Sequence, residues 1–188
     1  PKDIYQTFRQ TENRRPFRDF QQKLISTSLV LKQARFRIPN AEAQDIHYSE
    51  RGLDRELLLE LSTCQFIHNN SNVILQGFTG SGKSFLACAL GRQACKQGIR
   101  TRYIRVPDLL MARDEAAEQK QGVGRLLKQY SNYKLLVLDE WLLNDLSDEE
   151  LHFLFELVER RYEESATIFC TQYKVEEDRK STRLNSSH

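Results

Sequence analysis

The densest chemical signal in the chain is Gly77-Phe78-Thr79-Gly80-Ser81-Gly82-Lys83-Ser84, which follows the pattern G-x-x-x-x-G-K-[ST]. Glycines at this spacing let the backbone curl until its N–H groups face one point, which suits phosphate oxygens. A helix starting at such a loop adds partial positive charge from its N-terminus. Lys83 is then placed to bridge the β- and γ-phosphates of a nucleotide, and the Ser84 hydroxyl to ligate Mg²⁺. With Phe85, the first apolar residue of the helix, the candidate nucleotide-binding set is residues 77–85.

A second cluster follows an apolar run. Leu135-Leu136-Val137-Leu138 ends in Asp139-Glu140. A carboxylate at the C-terminal end of a buried strand stands where open α/β sheets bind ligands. Asp139 can hold Mg²⁺ directly or through water, and Glu140 is placed to orient and deprotonate an attacking water. The residues after Asp139 are Glu-Trp-Leu, not the D-x-x-G of a GTPase, and neither N-K-x-D nor LSGGQ occurs. A kinase needs no adjacent glutamate, because its substrate brings the nucleophile. The pair therefore argues for ATP hydrolysis, with Glu140 and Lys83 as catalytic candidates. Thr171, after a later strand, is the third candidate, as a holder of the attacking water or the γ-phosphate, with Gln172 its competitor.

The elements that position these groups follow from periodicity. Apolar residues among polar ones predict a helix over 14–38, interrupted by Pro39-Asn40. Leu53, Leu57, Leu61 and Cys64 recur at helical spacing, and Asn69-Asn70-Ser71-Asn72 marks a loop. Val73-Ile74-Leu75 reads as a strand, Lys83–Lys96 as a helix stopped near Gly98, and Thr101–Arg105 as a strand. Pro107 suits a helix start, whereas Gly122 and Gly124 break the region before 126–130. Residues 134–138 form a continuously apolar strand. Ser147-Asp148-Glu149-Glu150 fits a capping box, followed by a face of Leu151, Leu154, Phe155, Val158 and Tyr162, and by a strand over 166–170. Alternating strands and helices imply a parallel α/β sheet flanked by helices, a P-loop NTPase core preceded by a small helical region.

Composition supports one folded domain: 188 residues, 39% hydrophobic and 29% charged. The net charge is +2, yet the first 40 residues carry nine bases against three acids. That basic arm suits an anionic polymer. Arg14, Arg15 and Arg18 on it, with Arg105 and Arg113 further on, are candidate contacts to DNA phosphate. No motif supports base-specific reading, so double-stranded DNA recognised with weak sequence preference is the expectation. Cys64, Cys88, Cys95 and Cys170 have no zinc spacing and read as thiols of a reducing cytoplasm. No apolar run approaches the ~20 residues of a membrane helix. No signal-peptide pattern opens the chain, which begins at Pro1 and is expected to lack its start.

Four stretches, LKQARF, NVILQGFTGSGKSFLA, LLVLDEWLL and ERRYEESATIFCTQY, resemble the IstB-like ATP-binding proteins of bacterial insertion sequences, relatives of DnaC-type helicase loaders within the AAA+ group. The likeness spans about residues 14–177, and its last stretch is the most specific. It implies that residues 77–84 are a Walker A segment, Asp139-Glu140 a Walker B segment and Thr171 a sensor-1 residue. It also implies a cytoplasmic bacterial protein that assembles on DNA with ATP, as a homo-oligomer in its full-length form, and engages a transposase. The alternatives are a replicative helicase loader and a nucleotide-gated scaffold without turnover. The implied division is a basic helical region over 1–70, an AAA+ ATPase core over 71–177 incomplete at its C-terminal end, and an unstructured or artefactual tail over 178–188. The family's arginine finger, sensor-2 arginine and a fifth strand beside the first find no counterpart here. The expectation is nucleotide binding with slow hydrolysis.

Overall fold

The computed structural model describes residues 14–45, 54–143 and 145–172, with the backbone alone for 14–21. Residues 1–13 of the basic arm and the tail over 178–188 lie outside the described residues. The order is α1 (Arg14–Ala34), a short 3-10 turn (Ala43–Asp45), α2 (Arg55–Ser62), α3 (Gln65–His68), β1 (Val73–Gln76), α4 (Lys83–Lys96), β2 (Thr101–Arg105), α5 (Val106–Ala117), α6 (Gly122–Ser131), β3 (Leu135–Asp139), α7 (Asp148–Glu159) and β4 (Ala166–Thr171).

The strands form a four-stranded parallel sheet in the order β1-β4-β3-β2. β3 is buried along its whole length, and its alternation divides the core in two. Leu135 and Val137 face α4 together with Ile168 and Cys170, under a layer that includes Ala34, Phe36 and Ile67. Leu136 and Leu138 face the other way, against Leu109, Leu127, Tyr130, Phe153, Leu154 and Leu157. This is the helix-covered parallel sheet that the alternating pattern implied.

Several local expectations are corrected. α1 stops at Ala34 rather than 38, because Arg35 turns left-handed at φ 55° and sends Phe36 into the core. The second helical stretch is capped by Asp54, whose carboxylate accepts the N–H groups of Glu56 (2.8 Å) and Leu57 (3.3 Å). Cys64, at φ 63°, splits that stretch into α2 and α3. Gly122 opens α6 instead of breaking it. The Ser147 capping box forms, with the Ser147 N–H donating to Glu150 at 2.7 Å and the Glu150 N–H to Ser147 Oγ at 3.3 Å. The buried face of α7, however, is Phe153, Leu154 and Leu157, whereas Leu151, Phe155 and Tyr162 are exposed.

Arg161 helps to tie the entry end of the sheet. Arg161 is only 2% exposed. Its guanidinium donates to the carbonyls of Tyr130, Ser131, Tyr133 and Ala166, and to Thr167 Oγ1, at 2.6–3.2 Å. Burial pulls its pKa down to about 10.

Candidate functional site

The exit ends of β1, β3 and β4 converge, as ligand sites in open α/β sheets require. The β1–α4 loop carries the glycine-rich segment. Gly80 and Gly82 take φ of 76° and 90°, where a side chain is strained, and a Cβ on Gly77 would lie 2.9 Å from Ser81 Oγ. The curl therefore needs glycine at 80 and 82. Lys83, at the start of α4, donates to the carbonyls of Gly77 and Phe78, both at 2.7 Å. Thr79 donates its hydroxyl to Gln172 Oε1 at 2.9 Å, which joins the loop to the end of β4.

The acidic pair sits opposite. Asp139 is 3% exposed and accepts the Tyr103 hydroxyl on Oδ2 and the Glu140 N–H on Oδ1 at 2.9 Å. Burial, and then the bond to Asp139, push the Tyr103 phenol well above its ordinary pKa. Glu140 adopts φ 60°, and its carboxylate accepts Arg105 Nε at 2.9 Å and Nη2 at 2.8 Å. This bidentate bond raises the Arg105 pKa further. Arg37 Nη1 lies 3.7 Å from Glu140 Oε1.

These groups line one cavity of about 410 Å³, whose wall includes Arg37, Thr79, Lys83, Ser84, Asp139, Glu140 and Gln172. A second cavity of about 540 Å³ opens on the other side of the loop, against Leu57, Leu58, Leu61, Ile74 and Phe78. Gly80, Gly82, Lys83 and Phe85 border both. The loop thus separates a charged chamber from an apolar one, matching the two ends of a nucleotide. For Mg²⁺, the donor set of Ser84 with the buried Asp139 is all oxygen, as a hard cation requires.

Not every sequence candidate is placed alike. Residues 77–85, Asp139 and Glu140 gather at the two chambers. Thr171 instead donates its hydroxyl to the Trp141 carbonyl at 3.0 Å, and it is Gln172 that reaches the cavity wall. Arg105 is tied to Glu140, and also to Asp108 at 3.6 Å. Arg113 pairs with Asp114 at 3.1 Å and Glu149 at 2.9 Å. Arg14, Arg15 and Arg18 fall in the first turns of α1, and their side chains lie outside the described residues. Sequence reasoning missed Arg37, Tyr103 and the apolar chamber. Strand alternation held a signal for Tyr103, since residues 103 and 105 share a face of β2 and its register sets Arg105 beside Asp139.

The sequence profile of the IstB-like ATP binding protein family matches residues 14–182. The chain belongs to that family. It is 39% identical over 136 residues to a Sinorhizobium fredii protein named as an insertion sequence ATP-binding protein, covering 72% of this chain and 55% of the relative. It is 36% identical over 142 residues to a Pseudomonas fluorescens protein named as the ATP-binding protein of insertion sequence IS1162, covering 75% and 61%. This IstB-like chain therefore spans a little over half the length of these curated relatives. Among solved structures, the DnaC helicase loader matches with a TM-score of 0.60 at 26% identity, over 78% of this chain and 86% of that one. The replication initiator DnaA, bound to AMPPCP and single-stranded DNA, matches with a TM-score of 0.63 at 21% identity, over 80% and 49%. The fold is that of the P-loop AAA+ proteins. No helix among the described residues is long and apolar enough to cross a membrane.

Proposed function

We propose that the chain binds ATP with Mg²⁺ across the two chambers and serves an insertion sequence as its ATP-dependent helper on DNA, engaging a transposase. The observation that carries this is the convergence of Lys83, Ser84, Asp139 and Glu140 on one cavity at the sheet's exit end. In this reading residues 77–85 hold the phosphates, and the base lies in the apolar chamber against Leu57, Leu58 and Leu61. Ser84 and Asp139 hold Mg²⁺, which offsets phosphate charge. Glu140 acts on the attacking water after leaving Arg105, since both its oxygens are bonded there. Gln172 takes the water- or phosphate-holding place first considered for Thr171, whose hydroxyl instead steadies the turn at Trp141.

The helical region before residue 70 and the core from 71 act together, because α1 and its following loop pack on α4 and β2. DNA contact is assigned chiefly to Arg14, Arg15 and Arg18. Arg105 and Arg113 join only by exchanging their carboxylate partners for phosphate. Charge reversal at positions 14, 15 and 18 should then weaken DNA binding and flatten its salt dependence. Self-assembly as a homo-oligomer is part of the same reading.

The test is binding of a fluorescent ATP analogue with Mg²⁺ to the chain and to Lys83→Ala. Binding lost in the variant supports the reading, and folded protein without binding sinks it. The likeness to the DnaC helicase loader favours a second reading, in which the partner is a replicative helicase. Affinity for a helicase over a transposase would decide for it. A scaffold without turnover is separated by Glu140→Gln, which would leave such a protein's function unchanged.

A further inference from the structure

Among the described residues, Arg37 is a cation whose place at the site its contacts do not explain. Arg105 already supplies both hydrogen bonds to the Glu140 carboxylate. Arg37 stands 3.7 Å from the same group, an ion-pair distance beyond hydrogen bonding, with its side chain 55% exposed. Holding Glu140 thus does not account for it.

The backbone that carries Arg37 is fastened on both sides. Before it, the Gln33 carbonyl accepts the Arg102 guanidinium at 3.1 Å, and Phe36 is buried against Gly91 of α4, where a Cβ would meet the ring at 2.5 Å. After it, Ile38 packs on the core, and the Pro39 carbonyl accepts the Arg92 guanidinium. Arg92 and Lys96 of α4 both pair with Glu42, and the bond from Lys96, then that from Arg92, hold the Glu42 carboxyl below its usual range. A long cationic side chain thus rises from a rigid base, on the helix that begins at the phosphate loop.

Its direction is informative. Arg37 lines the charged chamber with Lys83, Ser84, Asp139 and Glu140, and takes no part in the apolar chamber. A triphosphate puts its terminal group at the charged end and its base at the other. Resting on the proposed reading of this site, we infer that Arg37 contacts the terminal phosphate of the bound nucleotide from within the same chain and makes the site prefer a triphosphate to a diphosphate. The guanidinium exchanges a loose contact with Glu140 for a charge-assisted bond to phosphate oxygen, for which its planar fork is suited. The segment before β1 thereby senses whether the third phosphate is present.

The experiment compares fluorescent ATP and ADP analogues with Mg²⁺ on the wild-type chain, Arg37→Ala, Arg37→Lys and Lys83→Ala. The expected result for Arg37→Ala is about a tenfold loss of ATP affinity with ADP affinity unchanged, the size of one charge-assisted hydrogen bond. Arg37→Lys should recover part of that preference. An unchanged ATP-to-ADP ratio in Arg37→Ala overturns the inference, whether both affinities hold or both fall together, since equal loss marks a merely structural role. A folded wild-type chain that binds neither analogue overturns the site reading and this inference with it. Binding by wild type, lost in Lys83→Ala, keeps the site reading whatever Arg37 does.

Discussion

The two ends of the sheet use arginine in opposite ways. At the entry end, Arg161 is enclosed and meets only neutral partners, the carbonyls of Tyr130, Ser131, Tyr133 and Ala166 and the hydroxyl of Thr167. At the exit end, Arg37 and Arg105 are about half exposed, and their partner is the acidic pair's own carboxylate. The first arrangement has nothing to exchange for, since each guanidinium nitrogen already has an acceptor and the side chain is enclosed. The second can trade one anion for another without unfolding anything. Exposure and the charge of the acceptor, more than residue type, separate an arginine that holds the fold from one that can act.

Breaking the entry end should have the largest effect. Arg161→Met leaves several buried carbonyls without a donor, and a loss of roughly 5 kcal/mol in urea unfolding is expected. A loss below about 1 kcal/mol would mean that the tie is ornamental. At the exit end, Glu140→Gln should lower phosphate release about a thousandfold, roughly 4 kcal/mol of barrier, while nucleotide binding persists. Lys83→Ala removes the proposed phosphate contact without opening the core, so nucleotide affinity should fall by about 2 kcal/mol at nearly constant thermal stability. Tyr103→Phe leaves Asp139 without its buried donor and should cost about 1 kcal/mol by calorimetry.

The smallest effect concerns the thiols. Burial pushes Cys64 and Cys95 up to about 11 and raises Cys88 and Cys170 as well. A group whose pKa lies that far above pH 8 is almost wholly thiol there, so alkylation should be slow until denaturant is added or pH approaches 11. Fast labelling of folded protein at pH 8 would show that the core opens more readily than its packing implies.

The parts legible in the sequence were those whose signal is contiguous. The glycine loop, the run from Leu135 to Glu140 and the Ser147 cap each need only neighbouring residues to be recognised. The arginines were harder, because their partners are distant. Arg105 and Glu140 are 35 positions apart, and Arg113 and Glu149 are 36 apart. Charge alone made both look available to DNA. The enclosure of Arg161 has no signal in its residue type, since arginine is seldom enclosed. On α7 the failure was one of degeneracy. Leu151, Phe153, Leu154, Phe155, Leu157 and Val158 fill much of the helix circumference, so periodicity could not choose the face that the sheet would take. Thr171 and Gln172 are adjacent, and only strand geometry could say which faces the chamber.

Gly91 sets a limit on how this protein can vary. It sits in the middle of α4, about two turns from the glycine-rich loop, and carries no side chain that could bind anything. A single added methyl would displace the ring of Phe36 and, with it, the loop one residue from Arg37. Charge changes on the open face of α7 should pass almost unnoticed by comparison. The least tolerant position in this region is therefore one that a search for chemically capable side chains would never find.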